Sequence, residues 1–428
     1  MIKSLQNKYS ISEKLKVDTF WNLFSYLIIG LCGITLPLLT AKYFNPNILG
    51  ILNTSLIILT ICSQISGFGI HFSVLKYVSE HYKDIEKVCT IMLSSLLLVS
   101  FTSLIFTLLF FILINPINSL FPEKNMYMGL LLITPALYLL SVNKVLLGYY
   151  NANRKMKLFA IVNTVRYLNW IIVLLIFIIH DLPSLYLPIL FAISESVVFL
   201  INLPVVLFFF KYYDSKNLRN WVEKHFTFGI KAMHGAIFVD FNSRADVLAV
   251  GIFTNTYMTG IYTIASMLVD GFIQLTIVLR IIINPLITKY YVEFGKGELL
   301  MQLKKGKLLF YIIGTPLIIF TIILFPFIID IFNISSDYKI AYLPLIITLI
   351  GLMLSFGYQP FQMIFVQTGY PLVQTVFWGV ILFLNILLSV FFVYKYGIIG
   401  AGIVSSIIYL TIPVLLNVFT NKFLKFKF

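Results

Sequence analysis

Charge is scarce in this sequence. Of its 428 residues only 11% are Asp, Glu, Lys or Arg, where a soluble protein carries roughly 25%. Too few polar groups are present to cover a water-facing surface, so most of the surface must face lipid. The hydrophobic share of 60% and mean hydropathy of +0.96 agree, and the class is an all-α polytopic membrane protein. Acids are scarcer still, 17 against 31 bases, which gives a net charge of +14. In a soluble domain that balance would point to nucleic acid. In a membrane protein it reflects lysines held on the cytoplasmic side, and no nucleic-acid partner is expected. Cys32, Cys62 and Cys89 are odd in number and lie in or beside apolar runs, which excludes a disulfide framework and a thiolate metal site. His71, His180 and His234 are scattered without ligand spacing, so neither metal nor cofactor is expected. No Gly-x-x-x-x-Gly-Lys-Ser/Thr loop occurs, so the chain carries no ATPase of its own, and "SGFGI" (66–70) reads as a glycine pair at a helix end.

Long apolar runs are abundant. Runs of about 20 or more apolar residues read as spanning helices, and twelve are expected: near 20–41, 49–72, 88–113, 126–149, 158–179, 186–210, 228–253, 260–288, 308–332, 340–367, 373–393 and 398–418. The basic opening "MIKSLQNKYSISEKLKVD" precedes a run too long for a signal-peptide core, so that run is expected to stay as the first span. With the N-terminus inside, the inner segments hold 23 of the Lys and Arg residues and the outer loops hold Lys42, Lys124, Lys339 and Lys395. This asymmetry predicts that both termini are cytoplasmic.

The stretch "KYYDSKNLRNWVEKHF" (211–226) places Leu218, Trp221, Val222 and His225 at i, i+3, i+4 and i+7. It reads either as an amphipathic segment lying in the membrane interface or as a solvated loop. It divides the chain into 1–210, a linker 211–227, and 228–428. The two halves echo each other. "FNPNILGIL" (44–52) ends the first span and "FTNTYMTGIY" (253–262) ends the seventh, each placing a Gly-Ile at the start of the next helix. "KYVSE" (76–80) and "KYYVE" (289–293) then close the second and eighth spans. The offsets are 210 residues for Gly50 and Gly260 and 213 for Lys76 and Lys289. Equal offsets at matched positions predict two parallel six-helix repeats.

These residues carry a resemblance. "RADVLAVGIFTNTYMTGIYTIASMLVD" (244–270), with Asp246, Gly251 and then Gly260-x-Tyr262-x-x-Ala265, resembles the start of the second half in polysaccharide and O-antigen flippases of the multidrug/oligosaccharidyl-lipid/polysaccharide superfamily. "LLTAKYFNPNILGILNTSLIILTICSQISGFGIHFSVLKYVSE" (38–80) resembles the first hairpin of that family. Length and span count agree throughout, while the chain after residue 300 matches only in hydropathy. The resemblance implies a MATE-like fold of two six-helix bundles around a central cavity in a bacterial inner membrane. It also implies a cargo of undecaprenyl-diphosphate-linked oligosaccharide, moved from the cytoplasmic to the outer leaflet by alternating access. Membrane lipids, H+ or Na+, and a glycan polymerase with its chain-length regulator are the partners that follow.

Four cations lie within spans: Lys144, Arg166, Arg244 and Arg280. Lys144, Arg166 and Arg280 are 9 or 10 residues inward from Arg154, Lys157 and Lys289, roughly 13–15 Å along a helix. Arg244 is near mid-membrane. Charges so placed cost several kcal/mol to insert and mark functional sites. A cavity lined by them would attract a diphosphate, whose oxygens Arg engages bidentately. Against this, Lys144 can snorkel to the interface, and Asp240 and Arg244, at i and i+4, can neutralise each other. Asp246 is expected to need a different partner, such as a cation from another span. Glu195, Asp240 and Asp270 are candidates for ion coupling or for pairing with the cations. Gln359, Gln362 and Gln367 on the tenth span beside Pro360, and Asn163 and Asn169 around Arg166, are candidate sugar contacts or interhelical hydrogen bonds.

A membrane glycan polymerase or glycosyltransferase would need a sizeable outer domain, and the longest outer loop, near 115–125, is too short. No enzymatic activity is expected. The nearer rival is an ion-coupled drug or metabolite antiporter of the same superfamily, for which a cavity dominated by carboxylates is expected. Four embedded cations favour an anionic cargo.

Overall fold

In lipid a backbone N–H or C=O has no water to bond, so a spanning segment must satisfy its own polar groups as a helix. Helix is accordingly the only regular structure among the described residues. The computed structural model describes residues 2–123 and 125–428, with side chains for all of these except 2–16, 19 and 281. The N-terminal basic side chains up to Lys16, and Lys124, lie outside the described residues. The helices run in chain order α1 (Ile2–Tyr43), α2 (Pro46–Ser66), α3 (Ile70–Glu80), α4 (Ile85–Ile112), α5 (Ile114–Asn118), α6 (Met126–Ala152), α7 (Met156–Ile179), α8 (Ile189–Lys211) and α9 (Leu218–Asn242). They continue as α10 (Ala245–Phe253), α11 (Thr256–Lys289), α12 (Gly295–Ile331), α13 (Tyr342–Ser355), α14 (Ile364–Gln367) and α15 (Pro371–Phe419).

Ten stretches of the described residues are long and apolar enough to cross a membrane. One of them, Pro371–Leu424, holds both of the last two expected spans on either side of Gly397, whose φ of 57° and ψ of −133° kink α15. The expected seventh span is absent from the ten because α9 ends at Asn242 and α10 starts at Ala245. With that broken pair and the kinked pair counted separately, each of the twelve expected spans has a helical counterpart. The second departs in one respect: the expected run to residue 72 breaks after Ser66, where Phe68 and Gly69 take positive φ, and α3 carries the chain on to Glu80.

The chain forms two compact units. The first comprises Met1–Leu36, Ser55–Ser119 and Asn125–Ile237; the second comprises Pro37–Thr54, Leu120–Lys124 and Phe238–Phe428. In the first, α3 supplies Ile70, Val74 and Val78, which pack with Ile91 and Met92 of α4 and Val142 and Leu146 of α6. Within the segment 211–226, Leu218 opens α9, and the apolar face of that opening joins this core. Trp221 and His225 are buried there. The His225 ring lies 2.6 Å from Ser73 Oγ through Nδ1 and 3.1 Å from the Ile91 carbonyl oxygen through Nε2.

In the second unit the N-terminal ends of α2 and α11 cross. A methyl group on Gly50 would fall 1.9 Å from the Thr256 carbonyl oxygen, and one on Gly260 would fall 1.8 Å from the Pro46 carbonyl oxygen. The two contacts are reciprocal under the 210-residue offset, since 46 and 50 correspond to 256 and 260. Asn53 Nδ2 donates to Thr263 Oγ1 at 2.8 Å, again 210 residues apart. Repeat-equivalent positions thus touch one another, as they do across a twofold axis. Farther along, α13 packs on α15 through Gly351 against Ser406 and Gly402 against Pro344. Small residues allow such close backbone approach in membranes. Outward, large side chains such as Phe101, Ile112, Leu200 and Phe383 are exposed, as a lipid-facing surface requires.

Gly50→Ala or Gly260→Ala forces backbone apart and should lower stability by about 1–3 kcal/mol, the range typical of overpacking. Gly30→Ala, with nothing within 4 Å, should leave the melting temperature of the detergent-solubilised protein unchanged. Equal melting for all three variants would contradict the crossing. A second expectation concerns pH. Burial lowers the His225 pKa from 6.5 to about 4, so the unfolded chain takes up a proton at a higher pH than the folded one. Stability is therefore full above about pH 6.5 and falls as pH drops toward 4, by about 3 kcal/mol for this shift. His225→Gln should flatten that part of the pH–stability curve.

Candidate transport site

The expected site residues fall into three clusters, one in the first unit and two in the second. In the first unit, Arg166 of α7 and Glu195 of α8 are both more than nine-tenths buried and form an ion pair, Nε to Oε1 at 2.6 Å. Arg166 Nη2 also donates to Glu195 Oε2 at 3.1 Å, and Nη1 to Asn163 Oδ1 at 3.2 Å. Asn143 of α6 donates to Glu195 Oε2 at 2.8 Å and to its backbone carbonyl at 2.9 Å. The pair is neutral and hydrogen-bonded on several sides, the condition under which buried charge is tolerated. Asn163, a candidate sugar contact, is thus an acceptor for Arg166, and Asn169 donates to the Val165 carbonyl oxygen. Lys144 donates from Nζ to Ser63 Oγ at 2.7 Å, an interhelical hydrogen bond from α6 to α2.

The second cluster sits where the seventh span breaks. Ser243 Oγ donates to the Asp240 carbonyl oxygen at 2.8 Å, and Asn385 Nδ2 of α15 donates to the backbone oxygen and Oδ1 of Asn242 at 3.2 and 2.9 Å. These bonds occupy carbonyls that a continuing helix would have used. Arg244 lies beyond the end of α9, so it does not share one continuous helix with Asp240. Its guanidinium pairs with Asp270 of α11. Asp246 lies in the first turn of α10, where the helix dipole favours a carboxylate. The cation expected beside it is absent among the described residues. Tyr262 Oη donates to Asp246 Oδ2 at 2.8 Å, Ser405 Oγ to the same oxygen at 3.1 Å, and the Val247 N–H to Oδ1 at 2.8 Å. A cavity of about 20 Å³, lined by Arg244, Asp246, Tyr262, Asp270 and Tyr409 among others, adjoins these groups. That volume admits one water-sized occupant.

The third cluster lies on the tenth span, which is also discontinuous: α13 gives way at Phe356 to a 3-10 segment, Phe356–Phe361, before the single turn of α14. Gly357 and Pro360 supply the reason, since Pro lacks the N–H for an α-helical bond. The glutamine stripe is therefore inward-facing in part only. Gln359 and Gln362 are buried; Gln359 Nε2 donates to Ser355 Oγ at 2.9 Å, and Gln362 Nε2 donates to Gln359 Oε1. Gln362 Oε1 receives Arg280 Nη2 from α11 at 3.1 Å. Gln367 is apart from them, accepting from Thr288 Oγ1 at 3.0 Å. Arg280 Nε is buried without a hydrogen-bond partner, and no carboxylate pairs with Arg280 among the described residues.

The sequence matches the model of the family described as polysaccharide biosynthesis protein over residues 15–290. The chain belongs to that family. In structure it is similar to a lipid II flippase MurJ in an inward closed conformation, with 18% identity and a TM-score of 0.76 over 95% of this chain and 87% of the other. It is similar as well to an inward-facing multidrug resistance MATE transporter of the MOP superfamily, at 14% identity and TM-score 0.68 over 94% and 97%. A third likeness is to a MOP superfamily transporter from Pyrococcus furiosus, at 12% identity and TM-score 0.60 over 96% and 94%. No curated protein sequence matches the chain. The chain has the fold shared by these MOP-superfamily transporters and the MurJ flippase.

In this family member, two of the four embedded cations are thus neutralised by acids from other helices, at sequence separations of 29 and 26 residues. Sequence reading named all four members of these pairs but not the pairing. It missed Ser405, for which no signal existed, and Asn143. Tyr262 was visible as part of a motif, 16 residues past Asp246, though not as its hydrogen-bond donor.

Removing one partner of the buried pair should be far worse than removing both. Glu195→Leu leaves Arg166 uncompensated and should cost about 3–5 kcal/mol, while Arg166→Met with Glu195→Leu should recover much of that loss. A double-mutant cycle by thermal unfolding in detergent measures the coupling. Additive effects would show that the two charges do not depend on each other.

Proposed function

We propose that the chain is a flippase that carries an undecaprenyl-diphosphate-linked oligosaccharide, a repeat unit of O-antigen, capsule or exopolysaccharide, from the cytoplasmic to the outer leaflet by alternating access. The observation that carries this reading is Arg280. A guanidinium inside a spanning helix, bonded only to neutral Gln362 and with a buried Nε left over, has positive charge to offer an anion. Glu195 and Asp270 already neutralise Arg166 and Arg244. A diphosphate supplies oxygens in the paired geometry that guanidinium binds best, and the adjoining Gln359 and Gln362 amides suit sugar hydroxyls. Discontinuous spans mark binding sites in transporters, because only there is irregular backbone useful and affordable at membrane depth. Family membership supports polysaccharide assembly in a bacterial inner membrane as the setting, and the lysine asymmetry supports cytoplasmic termini. A glycan polymerase and its chain-length regulator are the expected protein partners.

Asp246 supports ion coupling within the same function. Its carboxylate receives neutral donors only and adjoins a cavity of one-water size, so a proton or Na+ is a fitting guest. That feature also favours the rival reading, an ion-coupled drug or metabolite antiporter, whose cargo would be cationic and indifferent to Arg280.

Reconstituted into proteoliposomes, the wild-type protein should translocate a fluorescent polyprenyl-diphosphate glycan, faster with an H+ or Na+ gradient than without. Arg280→Gln should reduce transport at least tenfold at unchanged protein level, and Arg280→Lys should restore part of it. Wild-type rates in Arg280→Gln would remove the basis for an anionic cargo.

A further inference from the structure

Behind the Arg280–Gln362 contact lies the end of the described chain. After α15 and a single π-type turn, Thr420–Leu424, Lys425 adopts a left-handed conformation with φ of 64° and turns the backbone around. The three residues that follow the turn point fold back onto the helices. Phe428 N–H donates to Asn417 Oδ1 at 2.9 Å, and the carbonyl oxygen of Phe428 accepts from Tyr358 Oη at 3.1 Å. Tyr358 Oη in turn accepts from Lys307 Nζ of α12 at 3.2 Å. The Phe428 ring lies 5.5 Å from that of Tyr358 and 5.8 Å, edge to face, from that of Phe361. Phe426 and Phe428 are both buried.

Tyr358 and Phe361 belong to the 3-10 segment that carries Gln359. A 3-10 helix has three residues per turn, so residues three apart lie above one another. Positions 358 and 361 therefore share one face, and 359 and 362 share the next. The tail grips the first face while Arg280 is bonded to the second. Hydrogen bonding in a 3-10 turn is weaker than in an α-helix, and this one contains Gly357 and Pro360, so its conformation depends on what packs around it. On the α12 side, Phe356 fills the space over Gly314 and Phe361 that over Gly306. Phe272 of α11 meets the Phe356 ring edge to face at 6.2 Å, and Gln374 of α15 donates to the Gln362 carbonyl oxygen at 2.8 Å; the face that carries Tyr358 and Phe361 is held by the tail.

We propose that Lys425–Phe428 is a strap whose Phe428 positions the broken tenth span, so that the Gln362 amide is held toward Arg280. As a role in cargo binding this rests on the function proposed above; as a conformational role it does not. Phe428 touches no cargo and acts through Tyr358 and Phe361. Loss of its ring frees the 3-10 segment to turn about its own axis, which carries the 359/362 face away from Arg280 without disturbing α13.

The test uses the full-length protein in nanodiscs and two readouts. Amide hydrogen exchange over 356–359 and 361–362 should be at least tenfold faster in Phe428→Ala than in wild type, with exchange over 342–355 unchanged, and Phe428→Tyr should restore protection. With undecaprenyl diphosphate as the probe, Phe428→Ala should raise Kd several-fold, and Phe428→Tyr should return it toward the wild-type value. Unchanged exchange in Phe428→Ala overturns the strap. So does a uniform rise across the second unit, because the tail would then be a general stabiliser. If wild-type protein binds no undecaprenyl diphosphate, the cargo reading fails while the exchange result still decides the strap.

Discussion

A charge placed in a low-dielectric interior has to be met there by another group of the protein or by a guest, because no water is present to do it. Most of what is irregular in this fold follows from that requirement. Arg166 and Glu195 bring α7 and α8 together, with Asn143 adding α6 to the same knot. Arg244 reaches Asp270 on α11 from a position beyond the end of α9. Had the seventh span been a continuous helix, Arg244 would sit one turn from Asp240 on the same face. The break at Ser243 re-aims it, and the Asn242 carbonyl that the break releases is taken up by Asn385. The backbone polar groups obey the same rule as the side chains: where a helix stops inside the membrane, a side chain from a neighbouring span completes the bonding.

What was legible in the sequence was set by local chemistry and by repetition. Apolar runs of spanning length determine helices whatever packs on them, so the spans were readable to within a few residues. The 210-residue offset was readable because Gly50 and Gly260 occupy equivalent turns, and the crossing shows why glycine is needed at both: backbone meets backbone. What was not legible depended on contacts between helices. Nothing local says that Glu195 lies opposite Arg166, or that Ser405, 159 residues away, bonds Asp246. The i, i+4 spacing of Asp240 and Arg244 was legible, but the end of α9 between them was not. Helical spacing implies proximity only while the helix continues, and the end of α9 at Asn242 is bonded by Asn385, 143 positions farther on. In the linker stretch only the amphipathic pattern was legible, since such a face reports that something apolar covers it but not whether that is lipid or, as for Trp221 and His225, the protein's own core.

Under the proposed function a base and an acid beside the interrupted spans of the second unit, Arg280 and Asp246, are the ones that matter, and their hydrogen bonds come from neutral partners. Arg280 is bonded to an amide, and Asp246 to two hydroxyls and a backbone N–H. Each sits at or beside an interrupted span, and each has charge left to attract a guest of the opposite sign. An anionic cargo alone would leave Asp246 uncompensated, and a cation alone would leave Arg280 so. Loading both keeps the interior neutral at every stage, which is the least costly way to carry a diphosphate through hydrocarbon. The Arg166–Glu195 pair of the first unit makes no comparable demand, since the two neutralise each other before any guest arrives. On this argument coupling and cargo recognition are two consequences of the same electrostatic requirement, and both lie in the second half of the chain, where spans seven and ten are broken.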